Sequence, residues 1–146
     1  MEFIVCGEIS GKQYNKLLKF AIDYSDSFGV STFKIHKKHL QPTYFSFFEK
    51  MAPYEKNKDK LLLPQHYEKG QKFYVYELND IGEKYLIQQN SFWDWSIPNL
   101  PEDLSFFKGK KVWLNCITHE KMILINSDDI ELLHFLTNIG IQIRAM

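Results

Sequence analysis

The sequence predicts an α+β fold: a single domain with a mixed or antiparallel sheet and helices packed mainly on one face. Three observations carry that reading. Strand-like and helix-like segments alternate through the first half. Three short strand-like segments then follow one another between Leu104 and Ile125, and one more helical stripe comes after them. The three consecutive strands read as a C-terminal β-meander. At 146 residues, positions 1–146 suit one domain. A chain of this size buries about 70% of the surface its unfolded state exposes, so it needs neither disulfide nor metal to fold.

Phe3–Ile9 is short, apolar and partly β-branched, and reads as a first strand. Ser10 and Gln13 have capping-box spacing for a helix carrying Tyr14, Leu17, Leu18, Ala21 and Ile22 on one stripe, with Gly29 as its stop. Val30–His36 alternates as a second strand with Phe33 and Ile35 on one face. Pro42 opens a short amphipathic helix with Tyr44, Phe47, Phe48 and Met51 inward, which Pro53 ends or kinks. Residues 54–72 are lysine-rich and aperiodic, an excursion long enough to be functional or to hide a short element.

Phe73–Leu78 is rich in aromatic and β-branched residues and reads as a strand. Asp80, with Glu83 three positions on, caps a helix that points Tyr85 and Leu86 inward and ends near Asn90. SFWDWSIPNLPEDL, with two prolines and no period, is an ordered aromatic loop. Leu104–Phe107, Lys111–Ile117 and Met122–Ile125 are the meander, turned at Gly109 and at Thr118–Lys121. Asn126–Asp128 caps a final helix with Ile130, Leu133 and Leu136 on its core face. Gly140 closes it, and Ile141–Met146 adds an edge strand.

Composition narrows the function. The 18 basic and 18 acidic residues balance, which argues against a non-specific nucleic-acid binder. No stretch approaches a membrane span of about 18 apolar residues, and Glu2 and Glu8 stand where a signal peptide wants positive charge, so the expectation is a cytoplasmic protein without a membrane partner. Cys6 and Cys116 are too few for a disulfide framework and read as two buried thiols. Arg144 is the sole arginine, which disfavours a dedicated phosphate clamp. Lysine, asparagine, isoleucine, phenylalanine and tyrosine are abundant and alanine scarce, the codon bias of an AT-rich genome. Charge is uneven: eight lysines against four acids over residues 34–69, then six acids against Lys84 alone from Glu77 to Asp103.

Chemistry concentrates in one region. All three tryptophans fall within 21 positions, interleaved with Asp94, Pro98, Pro101, Glu102 and Asp103. Amphipathic rings on a proline-stiffened loop are favoured partner anchors, so Trp93, Asp94, Trp95, Pro98, Pro101, Glu102, Asp103 and Trp113 form a candidate partner-binding set. The same rings could instead plug the end of the sheet. His119 and Glu120 offer an imidazole beside a carboxylate, which only a turn would let cooperate, because neighbours on a strand face opposite ways. Glu102 and Asp103 could approach them across the meander, giving an alternative catalytic set of His119, Glu120, Glu102 and Asp103. Position 123 is Ile, so HExxH fails. His36, His39 and His66 lack a carboxylate framework and read as surface residues, and no nucleotide-binding or nucleophile-elbow motif occurs. No metal site and no cofactor is expected.

Trp93-Asp94-Trp95, Leu100-Pro101-Glu102-Asp103-Leu104, Trp113-Leu114 and Thr118-His119-Glu120 together resemble a group of small uncharacterised bacterial proteins. Some of that group carry the label stage III sporulation protein AH-like. The resemblance covers about a fifth of the chain and implies a bacterial, Gram-positive origin. It implies no catalytic residues. The membrane anchor of the sporulation protein has no counterpart in this sequence. The leading expectation is a non-enzymatic protein-interaction module, immunity-like by analogy, that binds through the aromatic and acidic loop. The alternative is a small acid/base or metal-assisted hydrolase centred on His119.

Overall fold

A computed structural model describes residues 1–33, 39–64 and 70–146. In chain order the elements begin β1 (Glu2–Cys6), α1 (Lys12–Tyr24), β2 (Ser27–Thr32), α2 (Pro42–Met51), β3 (Lys72–Glu77) and α3 (Asp80–Gln88). They continue β4 (Glu102–Lys108), β5 (Lys111–Ile117), β6 (Met122–Asn126), α4 (Ile130–Asn138) and β7 (Gln142–Ala145). The seven strands form one sheet in the order β3-β2-β4-β5-β6-β1-β7, with every neighbouring pair antiparallel. The architecture is the expected α+β one, and β4, β5 and β6 are the meander.

One face of the sheet meets all four helices. Phe28, Val30, Tyr76, Leu104, Phe106, Leu114, Cys116, Ile123 and Ile125 project from the strands into a core that also takes Tyr14, Leu17, Leu18, Phe47, Leu86, Leu132 and Leu136 from the helices. The other face is covered differently. Phe73, Val75 and Phe107 form a second small cluster there, and Leu61 and Leu63 of the excursion lie over it. Residues 54–64 thus act as a strap across the sheet, tied by the Leu62 amide to the Lys110 carbonyl and by Lys58 Nζ to the Phe73 carbonyl.

Several boundaries depart from the sequence reading. β1 stops at Cys6, where Gly7 takes a positive φ, and Cys6 is exposed; only Cys116 is a buried thiol. The Ser10–Gln13 capping box is absent. Gly11 is the N-cap with no side-chain bond, and Gln13 instead donates to the carbonyls of Ile139 and Gly140. Gly29 does not stop α1 but lies inside β2, because a Cβ there would stand 2.6 Å from Phe73 Cζ and 2.9 Å from Ser105 Oγ. β2 consequently starts three residues earlier than Val30 and ends at Thr32, so Phe33 lies beyond it, and Ile35 and His36 fall outside the described residues.

Asn79, not Asp80, caps α3, its side chain accepting from the Gly82 amide. Asp129, not residues 126–128, caps α4, accepting from the amides of Glu131 and Leu132. Ile130, expected in the core, is 64% exposed; Leu132 takes the buried position instead. β4 begins at Glu102 rather than Leu104, and that shift places the acidic pair in the sheet.

Candidate functional site

The region from residue 91 to 120 folds as a plug and a clamp. Ser91 and Asp94 form a reciprocal capping box on a single 3-10 turn, Phe92–Asp94, and Asp94 Oδ2 also accepts the Asn90 amide at 2.8 Å. Trp95 turns inward, wholly buried, and donates from Nε1 to the Tyr14 hydroxyl at 3.2 Å; that hydroxyl donates to the Leu86 carbonyl at 2.8 Å. Burial raises the Tyr14 phenol above its ordinary range, keeping the chain of donors intact. Trp113 is also buried, donating to Ser25 Oγ at 2.8 Å and standing edge-on to Phe20 and Tyr24. Of the candidate partner-binding set, Trp95, Pro101, Glu102, Asp103 and Trp113 are buried, Asp94 and Pro98 are exposed, and Trp93 is half-buried. Lys121 Nζ lies 5.0 Å from the centre of the Trp93 ring.

The alternative set converges in part. In a regular strand Glu102 and Asp103 would point to opposite faces. Here β4 carries a bulge against β2: Gly29 faces Ser105 and Ser31 faces Glu102, so Val30 alone spans Asp103 and Leu104. Asp103 sits at the bulge with φ 56°, a left-handed conformation that costs a non-glycine residue energy, though less for Asp than for most. The twist brings both carboxylates to one side, where His119 meets them. One ligand atom from each of Glu102, Asp103 and His119 lies within 4.8 Å of the others.

Thr118 holds this arrangement. Its amide donates to Asp103 Oδ1 at 2.8 Å, its hydroxyl accepts from the Asp103 amide at 3.2 Å, and the same hydroxyl donates to the Trp95 carbonyl at 3.2 Å. Gln71 adds a contact to Asp103 Oδ2 at 3.4 Å while donating to Ser31 Oγ at 2.7 Å. Glu102 and Asp103 are buried residues, whereas the His119 side chain is 47% exposed and forms the mouth. Burial, then the charge of Asp103, raises the Glu102 carboxyl above its ordinary range; the Ile97 amide and His119 oppose the shift. The turn expected at Thr118–Lys121 is a 3-10 turn ended by Lys121 in the left-handed region. Glu120 stands at the surface with its carboxylate 3.9 Å from His119 Nε2, outside the cluster.

An imidazole nitrogen and two carboxylates could hold a divalent first-row ion, and the same three groups could move protons. Sequence reasoning missed Thr118 and Gln71, whose types carry no chemistry of their own. It also missed Asn115, a polar residue in the otherwise apolar run VWLNCI. Among the described residues, no helix is long and apolar enough to cross a membrane. No family model matches the chain, and neither do curated proteins or solved structures.

Proposed function

We propose that the chain is a small acid/base hydrolase working at Glu102, Asp103 and His119. The observation that carries this reading is the bulge at Asp103, which spends backbone strain to turn two buried carboxylates toward one imidazole. Glu102, with its carboxyl raised, is suited to hold the proton that a leaving group requires. His119, at the mouth, takes a proton from the attacking water. The products leave with one added water, and the proton on His119 returns to Glu102, which restores both groups. Asp103, held by the Thr118 amide, orients the pair.

Docking through the 93–103 loop has less in its favour, because Trp95 and Pro101 belong to the core. The test is turnover on ester, phosphoester, amide and glycoside probes, with Glu102→Gln and His119→Gln beside the wild type. Each substitution is expected to lower kcat by about 10²–10⁴-fold. Wild-type protein inert on every probe, or Glu102→Gln as active as the wild type, would overturn the reading. A partner captured by inactive wild type and lost in a Trp93→Ala/Pro98→Ala variant would establish docking instead.

A further inference from the structure

The strapped face of the sheet holds a second feature, independent of the hydrolytic reading. Between the strap and strands β5 and β6 lies a half-open cavity of about 240 Å³. Leu62 and Leu63 roof it, and Val112 and Leu124 supply an apolar floor. Asn115 lines it too, from the middle of β5, between Leu114 and Cys116, which both point into the helical core.

Asn115 is only 8% exposed, and among the described residues its side-chain amide makes no hydrogen bond. Its register partner on β4, Ser105, does not satisfy it, because the Ser105 hydroxyl is itself buried without a partner. Unlike the Ser105 hydroxyl, the Asn115 amide is not sealed from solvent but opens onto the cavity, so its donor and acceptor can be met by a bound molecule there. Glu2 and Lys111 both line the cavity, so their charges offset and favour no ionic ligand.

We propose that this cavity binds a small neutral molecule with an apolar body and a cis-amide edge, a donor beside an acceptor, which pairs with the Asn115 amide. A lactam or a cyclic imide presents such an edge, and a trans peptide does not.

The probe is ε-caprolactam, with cyclohexanecarboxylate as an anion of similar size, titrated into the isotope-labelled chain and followed by amide NMR. Caprolactam is expected to give saturable shifts at the Asn115 side-chain NH₂ and at the Val112 and Leu124 amides. Asn115→Leu should weaken its binding by about tenfold or more, the loss of one buried hydrogen-bonded pair. Leu62, at 61% exposure, can be changed without cost to the fold; Leu62→Glu should weaken binding as well, and it decides the matter should Asn115→Leu fail to fold. Glu102→Gln should leave binding unchanged whether or not it abolishes hydrolysis. Absence of saturable shifts in the wild type, equal or tighter binding of the carboxylate, or full binding by Leu62→Glu would overturn the proposal.

Discussion

Glu102 and Asp103 are consecutive in the chain and share one buried site, and burial together with the charge of Asp103 makes Glu102 harder to ionise. The folded chain therefore holds the Glu102 proton more tightly than the unfolded chain does. For an acid shifted upward, the stability it contributes is complete below the ordinary glutamate range, about pH 4. That stability drains away as pH rises through the raised value. Glu102→Gln stays neutral throughout, and its side-chain oxygen can still accept from Ile97. Its Tm is expected to exceed that of the wild type by a few degrees at neutral pH, with the gap closing toward about pH 4. Thermal melts across that range check this, and a variant less stable than the wild type at neutral pH would show that the charged carboxylate is favourably held. Little at this scale was legible beforehand. The pair itself is plain in the sequence, but nothing in the letters PEDL says that Asp103 adopts a left-handed backbone, because that conformation is imposed by β2 and by Thr118.

At the scale of elements, Thr118 joins three of them: β4 through Asp103, β5 by chain continuity, and the aromatic loop through Trp95. Thr118→Val keeps the shape and the amide but removes the hydroxyl, leaving the Asp103 amide and the Trp95 carbonyl unpaired in a buried place. The expected loss is about 1–3 kcal/mol by denaturant unfolding, with Thr118→Ser close to the wild type. A Val variant as stable as the parent would mean that the bulge holds without this clamp. The elements themselves were largely readable, because the apolar stripe of α1 and the alternation of β5 are local signals. Their ends were not. The Ser10–Gln13 pair has capping spacing, yet Gln13 is drawn away by the exposed carbonyls beyond α4, a contact between positions 126 and 127 residues apart. Gly29 reads as a helix stop from its neighbours alone; the Phe73 ring from β3 and the Ser105 hydroxyl from β4, packed against it, explain a glycine in mid-strand.

For the molecule as a whole, the two cysteines report on how it opens. Cys6 is exposed on β1, while Cys116 is wholly buried on β5, where burial also raises its thiol above the ordinary range. A thiol reagent should titrate one cysteine at once in native buffer, and the second only with the unfolding transition in denaturant. Two fast thiols would show that β5 opens locally. The sequence foresaw helices on one side and a meander, but it could not give the strand order, which depends on pairings between distant segments. β1 shows the consequence most clearly. It lies between β6 and β7, with Phe3 opposite Ile125 on one flank and Ala145 on the other. β1 leaves the ribosome some 120 residues before its earliest partner. During synthesis the Phe3–Val5 segment therefore has no strand to lie beside, and the sheet cannot close from its beginning. The first neighbouring strands to be completed are β2 and β3; β4, β5 and β6 can then add in turn, and β1 is placed only once β6 exists.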